Sequence, residues 1–183
     1  IQSPSSAAIV DCLGIERGDV VLDVCAAPGT KTLQLANLVG VNGFVYASDL
    51  SSDRVSFGQM DEKRHRKKNI KWSLKDARKD NYVIADKILI DAPCSGTGVI
   101  GRRTDIRWRR RESDLKKFAT VQLSILNNCS KYLKKGGALV YATCSIEPEE
   151  NLMVVDKFLN LNSNFVVDKI PNNVPRQWVK AVS

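Results

Sequence analysis

Short apolar runs alternate along this chain with longer stretches in which apolar positions recur at helical spacing. The runs are Val20-Val-Leu-Asp-Val-Cys25, Phe44-Val-Tyr-Ala-Ser48, Ile70-Lys-Trp-Ser-Leu74, Lys87-Ile-Leu-Ile90 and Ala138-Leu-Val-Tyr-Ala142. Their length and β-branched content predict five strands, and Phe165-Val-Val-Asp168 reads as the start of a sixth. Ser3 and Pro4 read as an N-cap and a first helical residue, opening a helix that ends near Gly14. Leu33, Leu35, Ala36, Leu38 and Val39 give the next helix one apolar face, with Gly40 as its C-cap. A polar helix follows from Ser52 to about Lys67, and another from about Asp114 to Leu133, which Gly136-Gly137 is expected to stop. Pro148, with Glu147, Glu149 and Glu150 around it, opens a last helix to about Leu161. Residues 93–112 form a long loop rich in glycine and arginine, and beyond Pro171 the pattern fades into loop or tail. Strands alternating with helices imply right-handed crossovers and a mostly parallel sheet covered on both faces. The fold class expected is α/β, doubly wound, with a strand order that the pattern alone does not set.

At 183 residues and 43% hydrophobic content, the chain suffices for one domain but not comfortably for two. It begins with Ile1 and has its first methionine at Met60, which suggests a piece of a longer protein. No apolar run approaches the roughly 18 residues that span a bilayer, so a soluble protein without a membrane partner is expected, and a monomer. The five cysteines, Cys12, Cys25, Cys94, Cys129 and Cys144, are odd in number and widely spaced, with only His65 as an imidazole. That pattern supports neither a disulfide framework nor a metal site, and points to a reducing, cytoplasmic compartment.

Net charge is +8, and the excess is clustered. Lys63-Arg-His-Arg-Lys-Lys68 reads as a solvated helix face with His65 exposed, whereas Arg102-Arg-Thr-Asp-Ile-Arg-Trp-Arg-Arg-Arg111 places a tryptophan among arginines in the long loop. Arginine attracts phosphate and an indole offers a stacking face, so nucleic acid is the expected partner of the second block. Trp72 and Trp178 read as packing residues.

Cys94 and Cys144 each follow the end of a predicted strand. Ligands of open α/β sheets bind outside the carboxyl ends of the strands, so the two thiols can share one crevice. Two buried structural cysteines are the plain alternative, against which stand their equivalent positions and the carboxylate of Asp91 three residues before Cys94. The turn Ala26-Ala-Pro-Gly-Thr30 presents backbone N–H groups at the start of a helix, and Asp49 ends the second strand 20 residues after Gly29. Together these suit a nucleoside-like cofactor with its ribose on Asp49. The turn is not a P-loop, and Gly96-x-Gly98-x-x-Gly101 runs into arginines rather than a helix, so its match to a dinucleotide fingerprint is set aside.

Three segments, Asp23-Val-Cys-Ala-Ala-Pro-Gly-Thr-Lys-Thr32, Asp91-Ala-Pro-Cys-Ser-Gly-Thr-Gly98 and Tyr141-Ala-Thr-Cys-Ser145 with Pro148-Glu-Glu-Asn151, resemble signature motifs of the RNA 5-methylcytosine methyltransferases, in the family's order and spacing. Arg102-Arg-Thr-Asp-Ile-Arg-Trp108 further resembles the RsmB (Fmu or Sun) branch, which modifies small-subunit ribosomal RNA. The resemblance implies a Rossmann-like S-adenosylmethionine-dependent catalytic domain over residues 1–183, lacking the family's N-terminal RNA-binding region and its last C-terminal strands. It implies S-adenosylmethionine at Cys25, Ala26, Ala27, Pro28, Gly29, Thr30, Lys31, Asp49, Asp76 and Asp91. By the same carry-over Cys144 is the nucleophile, Cys94 helps release the product, and Asp91 and Lys31 act beside the target base. Thr30, Thr104 and Leu152 depart from the family's usual residues without removing a catalytic group.

The chemistry accords with such roles. Carbon 5 of cytosine is a weak nucleophile until a thiolate adds to carbon 6, and a protonated Asp91 would stabilise charge developing on the ring. An RNA- or ribosome-precursor-binding module without turnover remains an alternative, as does an S-adenosylmethionine enzyme acting on a small molecule, a protein or DNA. The small-molecule and protein readings need neither two thiols nor the arginine-rich loop. The Pro-Cys thiol of DNA enzymes would correspond to Cys94 alone.

Overall fold

A computed structural model of the chain describes residues 4–169. Five strands, β1 (Val20–Val24), β2 (Phe44–Asp49), β3 (Ile70–Leu74), β4 (Ala85–Asp91) and β5 (Leu133–Ala142), form one parallel sheet in the order β3-β2-β1-β4-β5. The helices are α1 (Pro4–Asp11), α2 (Thr30–Leu38), α3 (Ser52–Arg64), α4 (Ile106–Arg109), α5 (Glu112–Cys129) and α6 (Leu152–Leu161). Strand β1 lies at the centre, with Leu22 opposite both Tyr46 of β2 and Ile88 of β4. The chain winds outward in one direction to β3 and in the other to β5, so the order reverses between β1 and β4, where open α/β sheets form their ligand crevice.

Both faces of the sheet are covered, which is why the strands read as apolar runs rather than alternating ones. Val21, Val45, Ala47 and Leu89 pack with Val10 and Leu13 near α1 and with Leu35, Ala36 and Val39 along α2. On the opposite face Leu22, Val24, Ile88 and Ile90 pack with Ile125, Leu126 and Cys129 of α5 and Val154 and Phe158 of α6. Each fully buried Leu or Ile in these layers contributes about 1.5–3 kcal/mol from apolar burial. The α/β, doubly wound expectation holds.

Four local expectations differ from the structure. Helix α5 ends at Cys129, a 3₁₀ turn covers Ser130–Tyr132, and β5 begins at Leu133, so Gly136-Gly137 lies inside the strand instead of stopping a helix. The register between β4 and β5 shifts at Ala85/Lys87, a Cβ on Gly137 would stand 2.5 Å from the Asp86 carbonyl, and Gly136 has φ 80°. The two glycines therefore permit an irregularity in the strand. Pro148 opens a 3₁₀ turn, Pro148–Glu150, and α6 starts only at Leu152. Asn151 interrupts the helix: its Nδ2 donates to the Ser145 and Glu147 carbonyls and its Oδ1 accepts from Thr143 Oγ1. The long loop contains a 3₁₀ turn, Thr97–Val99, and α4. Phe165 to Asp168 form no strand; Phe165 instead sets its ring against Phe158, with centroids 5.1 Å apart. Ser3, Pro171 and Trp178 lie outside the described residues.

Candidate active site

All the residues singled out for chemistry lie at the carboxyl edge of the sheet. Strand β4 delivers Asp91 and, through Pro93, Cys94; β5 delivers Thr143 and Cys144. The two cysteine sulfurs stand 3.0 Å apart, and the Cys144 backbone N–H donates to Cys94 Sγ at 3.3 Å. Cys144 is exposed and Cys94 partly so. A hydrogen bond from the Cys94 thiol favours the Cys144 thiolate and lowers its pKa from 9.0 to about 7, against the opposing effect of partial burial. The same bond, together with burial, holds the Cys94 proton tightly and pushes that thiol far up. One sulfur is thus poised as an anion and the other as its proton donor.

Lys31, in the first turn of α2, places Nζ 2.7 Å from Asp91 Oδ2. Asp91 thus faces an ammonium donor across the site. Beneath this pair Asp23 is completely buried: Thr32 Oγ1 donates to its Oδ2 at 2.6 Å, while Oδ1 has no hydrogen-bond partner among the described residues. Burial raises the Asp23 carboxyl to about 7; the Thr32 bond opposes this and the Asp91 charge adds to it.

The turn after β1 is shaped by Cys25 at φ 60° and Gly29 at φ 107°. The Cys25 side chain packs toward the α5 core and burial pushes its thiol up, so Cys25 offers the loop its backbone. Gly29 stands at the N-cap of α2 and brings no side-chain acceptor to the N–H groups of the first turn. Those donors suit an anionic group, and acids stand at the ends of the neighbouring strands, so the edge fits a nucleoside cofactor carrying a carboxylate. Asp49 is buried and accepts from Ala27 N at 3.2 Å and Ser51 N at 3.1 Å. Arg54 lies against it at 3.5 Å and also donates to the Ala27 carbonyl. Asp76 is gripped by Arg78 through Nε at 2.8 Å and Nη2 at 2.7 Å, which holds its carboxyl near 2. Ala26 and Ala27 are buried, with Pro28 and Thr30 exposed beside them.

Residues 10–181 match the family described as 16S rRNA methyltransferase RsmB/F. The chain belongs to that family. It is 38% identical to the ribosomal RNA small subunit methyltransferase B of Cronobacter sakazakii over 92% of this chain and 40% of that protein. With the protein of the same name from Klebsiella pneumoniae it shares 42% identity over 87% of this chain and 37% of the other. Among solved structures it is similar to NSun6 from Pyrococcus horikoshii with SFG, at a TM-score of 0.80 and 35% identity over 87% of this chain and 41% of that one. The chain therefore spans about two fifths of the length of the curated relatives that it matches.

Within this RsmB/F family domain the structure brings Cys94, Cys144, Asp91 and Lys31 to one edge, while Asp49 and Asp76 each face an arginine nearby. The arginine-rich loop is docked beside the thiols: Ile106 is buried against Gly96, and Arg110 donates to the Ser95 carbonyl at 3.1 Å while covering the Phe118 ring. Trp108 is 90% exposed. His65 is exposed, at the end of α3. Trp72 packs as expected, with its ring under Gly29. Sequence reasoning missed Asp23 as a buried titrating group and Arg54 as the partner of Asp49. It also read Glu150 as a helix-terminal charge, whereas Glu150 is wholly buried. Asp23 and Glu150 both stand inside the quoted motifs, which was the available signal. Among the described residues no helix is long and apolar enough to cross a membrane, and no group of three or more His, Cys, Asp or Glu is placed to hold a metal.

Proposed function

We propose that this chain is the catalytic domain of an RNA cytosine carbon-5 methyltransferase that uses S-adenosylmethionine and acts on small-subunit ribosomal RNA in the cytoplasm as a monomer. The observation that carries the reading is the 3.0 Å contact between two thiols at the sheet edge, beside the Lys31–Asp91 pair. SFG, the S-adenosylmethionine analogue in the similar NSun6 structure, supports the cofactor. Residues Cys25 to Lys31, Asp49, Asp76 and Asp91 would hold the cofactor, which supplies an electrophilic methyl group.

Cys144, about half ionised at neutral pH, adds to carbon 6 of the cytosine and makes carbon 5 nucleophilic. Lys31, steadied by Asp91, donates to the charge that develops on the ring. Cys94 acts afterwards. Its proton is held chiefly by the neighbouring Cys144 sulfur. Once that sulfur is bonded to carbon 6 its charge is gone; Cys94 then loses its proton to water and, as the thiolate, takes the carbon 5 proton, and the electron pair released expels Cys144 as a thiolate. Trp108 and the surrounding arginines offer a stacking face and phosphate contacts to the RNA.

Incubation with S-adenosylmethionine carrying a labelled methyl group and a small-subunit ribosomal RNA transcript tests the proposal. Label recovered as 5-methylcytosine is the expected result. Label on another atom, or binding of RNA without transfer, overturns it.

A further inference from the structure

Glu150 follows Cys144 by six residues and has no exposed surface. A carboxylate is buried at great cost unless donors surround it. Here Oε1 accepts from the Ser95 backbone N–H at 2.9 Å and from Gln122 Nε2 at 2.9 Å, and Oε2 accepts from Ser95 Oγ. Gln122 Nε2 also reaches the Pro93 carbonyl at 2.9 Å, and the Tyr141 hydroxyl donates to the Glu150 carbonyl at 2.7 Å. Ser95 and Ser145 directly follow the two cysteines, and their hydroxyls meet at 3.1 Å. The Cys144 carbonyl in turn accepts from Gly98 N at 3.0 Å, where a Cβ on Gly98 would crowd it. Two loops that start on different strands are thus tied to one carboxylate immediately behind the thiols.

We propose that Glu150 is a positioning residue: by holding Ser95, and through it Ser145, it keeps Cys94 and Cys144 in hydrogen-bonding register. The inference rests on the reading of these thiols as the catalytic pair. Electrostatics alone would not place a carboxylate there, because its negative charge disfavours the Cys144 thiolate. Its geometry is what the site uses. A glutamine fits the same place: its oxygen keeps the Ser95 N–H and Gln122 donors, and its amide donates to Ser95 Oγ, whose own proton turns to Ser145. An alanine leaves the Ser95 backbone N–H and Gln122 without this acceptor and the register unsupported.

The test follows the alkylation of Cys144 by iodoacetamide against pH, read by peptide mass, in the wild-type chain and in Glu150→Ala, Glu150→Gln and Ser95→Ala, without RNA or cofactor. The wild-type midpoint is expected near 7. Glu150→Ala should move it up toward an ordinary thiol and slow alkylation at pH 7 by about tenfold. Glu150→Gln should leave it at or below the wild-type value. Equal shifts in the alanine and glutamine variants would mean that only the charge mattered and would overturn the proposal. So would a folded alanine variant of lower melting temperature whose midpoint is unmoved. If Glu150→Ala fails to fold, Ser95→Ala, which removes only a hydroxyl, carries the test: a smaller upward shift supports the proposal and none overturns it. Methyl transfer separates the two readings. A wild-type chain that shows the expected alkylation pattern but transfers no methyl group refutes the catalytic reading alone, whereas full transfer by Glu150→Ala refutes the positioning role alone.

Discussion

Replacing Asp23 by asparagine should remove a specific pH dependence of stability. Asp23 is fully buried under the Lys31–Asp91 pair, and its carboxyl is raised from 3.8 to about 7, first by burial and then by the charge on Asp91. Because the folded pKa lies above the unfolded one, the native state holds a proton that the unfolded chain releases. The resulting stabilisation is fully present below the unfolded pKa and is lost as pH rises through 7. Between pH 5 and pH 8 this single group withdraws about 2.5 kcal/mol. Asparagine keeps the size and can accept from Thr32, but it does not titrate. Urea unfolding at the two pH values should show the wild type losing about 2.5 kcal/mol more than Asp23→Asn, a difference of roughly 1–2 M in midpoint at ordinary slopes. Groups that the substitution leaves untouched contribute equally in both proteins and cancel. Parallel pH profiles for the two proteins would show that Asp23 is already ionised in the native state and refute the reasoning.

Three further outcomes are expected. Gly58→Ala, in the interior of α3, would ordinarily stabilise a helix by up to about 1 kcal/mol. Here the new Cβ meets Trp72 Cζ2 and Cη2 at 2.4 Å, so a loss of about 1–3 kcal/mol in urea unfolding is predicted, with weakened cofactor binding by calorimetry because the same ring supports Gly29. Trp108→Ala should leave unfolding within about 0.5 kcal/mol of wild type, since the indole is 90% exposed, while weakening RNA binding by about 1–3 kcal/mol in a filter or anisotropy assay. Dilute hydrogen peroxide should link Cys94 to Cys144, whose sulfurs are 3.0 Å apart, through a sulfenic acid on the more ionised Cys144; peptide mapping should find that one bond, and a dithiol should reverse it.

The central strands were legible because burial on both faces leaves little but apolar side chains in their runs, and the strand-end cysteines were legible because the sheet's carboxyl edge gathers whatever follows those runs. Two glycines together look like a stop signal, yet Gly136 and Gly137 sit within β5, because the crowding by the Asp86 carbonyl comes from a strand about fifty residues earlier in the chain. The late start of α6 is set by Asn151, whose side chain reaches back to Thr143, Ser145 and Glu147. Strand order was not legible, since a βαβ pattern does not say on which side of β1 the next strand is placed. Glu150 is one of three glutamates around a proline. Its partners Ser95 and Gln122 are 55 and 28 residues away, so its burial is a property of tertiary packing alone.

The central claim is the division of labour between the two thiols. Cys94→Ala and Cys144→Ala should be incubated with S-adenosylmethionine and a small-subunit ribosomal RNA transcript, denatured, and searched by peptide mass spectrometry for RNA bound to cysteine. The account predicts that Cys94→Ala accumulates an adduct on Cys144, because attack proceeds and release does not, and that Cys144→Ala forms none. An adduct carried by Cys94 in the Cys144→Ala protein, with none in Cys94→Ala, would contradict it.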